Sequence, residues 1–184
     1  YAELDNLHVP NPRLSEEAII DVTDGPDRKE FGATAGRLFE SSYIVGDRSN
    51  HIGLRLNGPL PQRASTTELL SRGVPVGAIE VPTGDDLLVL LRGRGVTAGY
   101  PVVAVVTTAS LDRLAQVRPG DRVVFRHIDV SRAGEKLRAQ RTAIDHLKRR
   151  VGTVFECLHV PQLNHIHTVN EVGAGPVSHT VHDS

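Results

Sequence analysis

Three features of the sequence predict a mainly β protein. Six short β-branched or apolar runs, at 42–45, 52–57, 76–81, 87–91, 102–107 and 122–128, are each bounded by Gly, Pro, Asp or Asn. Only one long segment, 134–151, keeps a helical period. With no Trp or Met and 4% aromatic residues, the core has to be built from Val, Leu, Ile and Ala.

Residues 1–25 read as a lead-in segment, with Pro10, Pro12 and an Asp24-Gly25-Pro26 turn, and a short helical possibility at 15–20. The runs at 87–91 and 102–106 are apolar on both faces, which predicts central strands covered on both sides. The run at 52–57 alternates instead. Ile52, Leu54 and Leu56 share one face, and His51, Gly53, Arg55 and Asn57 share the other. Gly53 is expected to leave open backbone between His51 and Arg55, room for a ligand or another chain, or else simply to sit on a solvated strand face. Glu80 shares a strand face with Val76 and Ala78, a carboxylate where an apolar side chain would fit. Two short helices are expected, at 66–71 and at 111–117, the second capped by Ser110. In the long helix, Leu137, Ile144, Leu147 and Val151 form one apolar face, expected to lie against the β body. The domain reading is a lead-in at 1–25, a body at 26–151 and a His-containing polar tail at 152–184.

At 184 residues the chain fits one domain, and its 23% charged and 39% hydrophobic content is that of a globular protein. No apolar run approaches the length of a membrane-spanning helix, so no membrane partner is expected. The single Cys157 and an opening without a secretory pattern point to a reducing, cytoplasmic setting. The net charge of −1 conceals blocks: eight acids against three bases in 1–31, seven bases against two acids in 132–151, and no Lys or Arg after residue 151. A helix with one charged face accounts for the basic block, and no nucleic-acid partner is expected.

Common catalytic templates fail. No Gly-Lys pair is present, so there is no P-loop, and any ATP has to be held otherwise or by a partner. Gly93-Arg94-Gly95 with Gly99 has the wrong spacing for a dinucleotide fingerprint, and a strand follows it. Neither Gly-x-Ser-x-Gly nor His-Glu-x-x-His occurs. Cys157 and His159 would share a face if 153–159 were extended, although a lone cysteine is more often inert. Five histidines crowd into the tail, but no carboxylate or cysteine pattern completes a metal site, and no metal is assigned.

Four ordered motifs carry a resemblance. They are Ser49-Asn50-His51-Ile52-Gly53-Leu54-Arg55-Leu56-Asn57-Gly58-Pro59, Gly73-Val74-Pro75-Val76-Gly77-Ala78-Ile79-Glu80-Val81-Pro82, Thr97-Ala98-Gly99-Tyr100-Pro101 and Leu114-Ala115-Gln116-Val117-Arg118-Pro119-Gly120-Asp121. Over roughly 24–150 they resemble the C-terminal half of the 5-oxoprolinase C-subunit family, also known as allophanate hydrolase subunit 2 or biotin-dependent carboxyltransferase. The resemblance implies a cyclophilin-like β-barrel with short helices and one longer C-terminal helix. It further implies a hydrolase subunit, not autonomous, that opens a small amide or lactam such as 5-oxoproline with ATP and a subunit-B-like partner. ATP would be shared with or held by that partner. Related domains serve in urea carboxylase, and one relative antagonises a histidine-kinase inhibitor, so the alternative is a non-catalytic docking or regulatory module. A prolyl isomerase reading rests on fold alone, and the chain lacks an aromatic-rich pocket.

The departures from the family pattern are chemical: His51 stands in place of Arg, Glu80 in place of Gln, and Gly95 near a place where the family carries Gln or another polar residue. A family chain also has a preceding domain as the other wall of its cleft. Arg55 is the candidate for holding a carboxylate or phosphate, because its guanidinium is forked. Glu80 is the candidate for orienting a water or a base, and the two form the expected catalytic pair. His51, Asn57, Thr97, Gly99 and Tyr100 are the expected substrate-binding residues. Strand edges left open in a half-barrel would favour a homo- or hetero-oligomer.

Overall fold

The computed structural model describes residues 17–65, 69–82, 84 and 86–157. The chain divides into two compact units, Tyr1–Gln140 and Arg141–Ser184.

The first unit is a closed barrel, which bears out the mainly β fold class. Its strands are β1 (Glu17–Asp24), β2 (Ser42–Val45), β3 (Gly53–Asn57), β5 (Ala78–Glu80), β6 (Asp86–Leu90), β8 (Val102–Val106) and β9 (Arg122–His127), and β4 (Arg72–Gly73) pairs with β7 (Thr97–Ala98) in a separate ribbon. Short helices α1 (Arg37–Glu40) and α2 (Leu111–Leu114), 3-10 turns at Arg28–Gly36 and Thr108–Ser110, and the longer α3 (Val130–Cys157) complete the described elements. No described helix is long and apolar enough to cross a membrane. Around the barrel the order is β1-β8-β5-β6-β3-β2-β9. Seven strands cannot alternate direction all the way round a closed ring, so one neighbouring pair has to be parallel. That pair is β1 and β9, in register from Glu17 opposite Arg122 to Val22 opposite His127.

β1 corrects the helical possibility at 15–20. Ala18, Ile20 and Val22 point into the core while Ile19 is exposed, a period of two along the chain. The strand is fixed by partners on β8 and β9, about a hundred residues away, which no local pattern reports. The barrel therefore takes in residues that read as a lead-in segment. Its closure also removes the open edges from which an oligomer was expected.

The two doubly apolar strands lie centrally, as expected. Inside, Leu87, Val89, Val103 and Val106 join Ile20, Leu56, Tyr43 and Phe125 in the main core. Outside, Leu90, Val102 and Ala78 pack with Val74, with Leu88 and Ala98 against them. Tyr43 keeps its hydroxyl satisfied by donating to Pro59 O at 2.8 Å, and burial pushes its pKa up to about 12.

Gly25 shows how tightly β8 is approached. A Cβ there would lie 2.3 Å from Val102 O and 2.7 Å from Ala104 N, backbone atoms of a central strand that cannot swing aside. Gly25→Ala is expected to cost about 3 kcal/mol, as overpacking against fixed backbone does. An unchanged thermal midpoint would contradict this.

Three local expectations are corrected. Residues 69–71 are irregular rather than helical, and 66–68 lie outside the described residues. Ser110 makes no side-chain cap on α2; its hydroxyl accepts from the backbone N–H of Asp21 at 3.1 Å. Residues 153–157 continue α3, so they are not extended, and His159 lies outside the described residues with the rest of the histidine tail.

Lys136, in the second turn of α3, and Arg126, on β9, both pair with the buried Asp21. Burial works to raise the Asp21 pKa, but hydrogen bonds and charge from Arg126 and Lys136 hold it below its ordinary value. In the second unit, Ile144 is 45% and Leu147 37% exposed.

Candidate functional site

The sheet register brings three of the expected site residues onto one outward face. Arg55 on β3 stands opposite Leu88 on β6, Leu88 opposite Glu80 on β5, and Glu80 opposite Val102 on β8. Leu54, Leu56, Leu87 and Val89 belong to the main core, and the row from Arg55 to Glu80 alternates with them. One row further along, Asn57 is opposite Asp86.

At that corner two guanidinium groups converge on one carboxylate. Arg48 Nη2 lies 2.7 Å and Arg55 Nη1 3.6 Å from the same Asp86 Oδ2. Asp86 is 11% exposed in its side chain, while Arg55 is 40% and Arg48 76% exposed. Two cations against one anion leave a surplus positive charge facing solvent, with Asn57 opposite Asp86 in the register. Such a cradle suits one carboxylate or phosphate group. Arg48 and Asp86 escaped sequence reasoning. The available signal was the acid opening an otherwise apolar strand, and the register that makes it face Asn57.

His51 lies at the opposite end of β3. It is exposed, and its carbonyl accepts from Gly93 N at 3.1 Å. The open backbone expected at Gly53 is absent: a Cβ there would meet Leu88 Cδ1 at 2.8 Å and Val89 O at 3.1 Å. The glycine serves close packing of β6 instead.

Glu80 is 1% exposed, and its Oε1 has no hydrogen-bond partner. Burial pushes its pKa up to about 7, with the charge of Arg72 pulling the other way. Arg72, on β4, forms an ion pair with the buried Asp27. Asp27 in turn accepts from Val102 N at 2.7 Å. Val74, just after β4, and Ala98, on β7, pack on the same outward cluster as Ala78 and Val102. The β4–β7 ribbon thus lies over the sheet face that carries Glu80, pinned by Arg72 to Asp27. At 1% exposure, the Glu80 side chain does not reach solvent in this arrangement.

This barrel has counterparts among known proteins. A family model described as carboxyltransferase domain, subdomain A and B, matches residues 3–127. The chain belongs to this carboxyltransferase-domain family. The match takes in β1, which the motifs at 24–150 left out, and ends with β9, before α3. The 5-oxoprolinase C-subunit of Escherichia coli is 30% identical over 133 residues, 72% of this chain and 43% of that protein. The 5-oxoprolinase C-subunit of Haemophilus influenzae is 27% identical over 113 residues, 61% of this chain and 37% of that protein. This chain therefore spans less than half the length of these relatives. The crystal structure of the K. lactis urea amidolyase superposes with a TM-score of 0.68 at 26% identity, over 75% of this chain and 9% of that one.

The remaining expected residues of this family member lie around the ribbon. Thr97 is exposed on β7, opposite Gly73. Gly99 and Tyr100 line a groove of about 1080 Å³ together with Arg37, Leu60, Val81 and Pro82. Tyr100 is 46% exposed, and a Cβ on Gly99 would stand 3.0 Å from Leu69 O, so the segment is both packed and accessible. Val81 N donates to Pro101 O at 3.0 Å, which ties the groove wall to the strand carrying Glu80. The expected set thus separates into an anion cradle at Arg55 and Asn57, a groove of mixed polar and apolar lining at Gly99 and Tyr100, a sealed carboxyl at Glu80 and an outlying His51. Among the described residues no group of His, Cys, Asp or Glu is arranged to hold a metal ion.

Proposed function

We propose that this chain is one wall of the substrate site in an ATP-dependent amide or lactam hydrolase of the 5-oxoprolinase or allophanate type, working with a subunit-B-like partner. The observation that carries the reading is the surplus cation at Arg48, Arg55 and Asp86 on a barrel of this family. 5-Oxoproline carries one carboxylate, and a single exposed guanidinium charge matches it. A triphosphate needs several cations or a glycine-rich nest of N–H groups, so the nucleotide is assigned to the partner. ATP supplies activation of the lactam carbonyl. Arg55 and Asn57 hold the substrate carboxylate, Tyr100 and the backbone around Gly99 line the groove, and Glu80, with burial pushing its pKa up to about 7, is partly protonated at neutral pH.

The test is 5-oxoproline-dependent ADP release by this chain mixed with its partner subunits. Turnover should vanish when the chain is left out. Arg55→Ala should lower kcat/KM by roughly a hundredfold, the loss of a charge-assisted carboxylate contact. Unchanged kinetics would remove Arg55 from the site.

The sealed position of Glu80 favours a second reading, a docking module without chemistry. In that case the complex assembles, and ADP release proceeds equally well without this chain.

A further inference from the structure

The second half of α3 carries a feature that the amide-hydrolase reading does not use. Read in heptads, α3 places Val130, Leu137, Ile144 and Val151 at one repeating position, and Ala133, Gln140 and Leu147 three residues after the first three of these. This is the seam spacing of a helix that packs on another helix. In the first unit Val130 is 77% exposed, whereas Ala133, Leu137 and Gln140 are partly buried, and Gln140 Nε2 donates to Asp112 Oδ2 at 3.2 Å. From residue 141 to 150 every residue is exposed, with Ile144 at 45% and Leu147 at 37%.

The residues flanking the exposed seam decide what can cover it. They are Arg141 and Lys148 on one side and Ala143 and Arg150 on the other. The only acid between 141 and 153, Asp145, lies away from the seam. A second copy of the helix would set basic flanks against basic flanks in either orientation. The apolar stripe is also narrow, two positions per heptad, whereas a helix lying on a bilayer presents a wide apolar face. We infer that residues 141–153 form a docking seam for an acidic amphipathic helix of a partner protein, with branched aliphatic side chains meeting Ile144 and Leu147, and Glu or Asp meeting Arg141, Lys148 and Arg150. The inference is independent of the amide-hydrolase proposal.

The experiment uses the full chain and two labelled four-heptad peptides with Leu at the seam, one flanked by Glu and the other by Lys, followed by fluorescence anisotropy. The Glu peptide should bind and the Lys peptide should not. Raising the salt concentration should weaken binding. Ile144→Asp combined with Leu147→Asp should abolish it. Reversing Arg141, Lys148 and Arg150 to Glu should transfer binding to the Lys peptide, with the Glu peptide weakened at least about tenfold. All five positions are exposed, so the barrel should keep its circular dichroism. Equal binding of both peptides, or of neither, overturns the inference. So does a self-dimer in sedimentation equilibrium that Ile144→Asp dissolves, or adsorption to phosphatidylserine vesicles without peptide binding.

Discussion

Glu80→Gln stabilises the protein by about 3 kcal/mol at pH 8 and leaves its stability at pH 4.5 nearly unchanged. The Glu80 carboxyl has its pKa raised from an ordinary 4.5 to about 7, and it is 1% exposed, so solvent does not screen the shift. The difference is about 2.5 pH units at about 1.4 kcal/mol each. A carboxyl whose pKa is higher folded than unfolded binds more protons when folded. Its contribution is therefore fully favourable below pH 4.5 and is lost progressively up to about pH 7. Above that, the folded protein carries a buried charge whose Oε1 has no hydrogen-bond partner. An amide of the same shape removes the ionisation without changing the packing. Urea unfolding of both proteins from pH 4.5 to 8 checks this, since titrating histidines affect both alike and cancel in the difference. Parallel stability curves would show that Glu80 does not titrate in this window.

Arg72→Met destabilises by about 3 kcal/mol, and the cost falls on Asp27. Arg72 is 37% exposed in its side chain and Asp27 6%, so removing the guanidinium strands a buried carboxylate that keeps only the N–H of Val102. The methionine retains most of the apolar stem, which isolates the loss of charge. Adding Asp27→Asn should recover part of the loss, because the two residues act as a pair. Without Arg72 the pKa of Glu80 rises further, moving the pH-dependent window of stability upward. Additive effects of Arg72→Met and Asp27→Asn in chemical unfolding would mean that the ion pair contributes nothing.

These two expected results meet at one place, the ribbon over the outward face of β5 and β8. The same place would control access to Glu80 if the family chemistry operates here. A variant that loosens the ribbon would then change the stability profile and the exposure of the carboxyl together, whereas Arg55 and Asp86 lie at the other end of the face and should respond to substrate charge alone.

Much of this was legible in the residues. Alternation at 52–57 placed Arg55 and Asn57 on one face and Leu54 and Leu56 on the other, because side chains in a strand repeat every two residues whatever their neighbours are. The doubly apolar runs at 87–91 and 102–106 marked central strands for the same reason, since a strand covered on both sides has no polar face to show. The four ordered motifs then pointed to the carboxyltransferase-domain family, to which the chain belongs.

Other features depended on contacts distant in sequence. β1 was hidden because its stability comes from β8 and β9, and the ribbon because its two-residue strands carry no periodicity. The cradle needed Arg48, Arg55 and Asp86 to converge from two strands and a turn. Gly53 suggested open backbone when read alone, but the neighbouring strand fills that space with Leu88. By itself the sequence determined the alternation of β3, the two doubly apolar strands and the family, although Tyr43, Phe31 and Phe125 are the largest side chains buried in a core expected to be aliphatic. Only the tertiary structure decided that Arg55 faces solvent beside a partner carboxylate while Glu80 is sealed and drawn toward neutrality. The reason is that periodicity is a property of the chain, whereas desolvation and charge pairing depend on what the folded chain places on top of each residue.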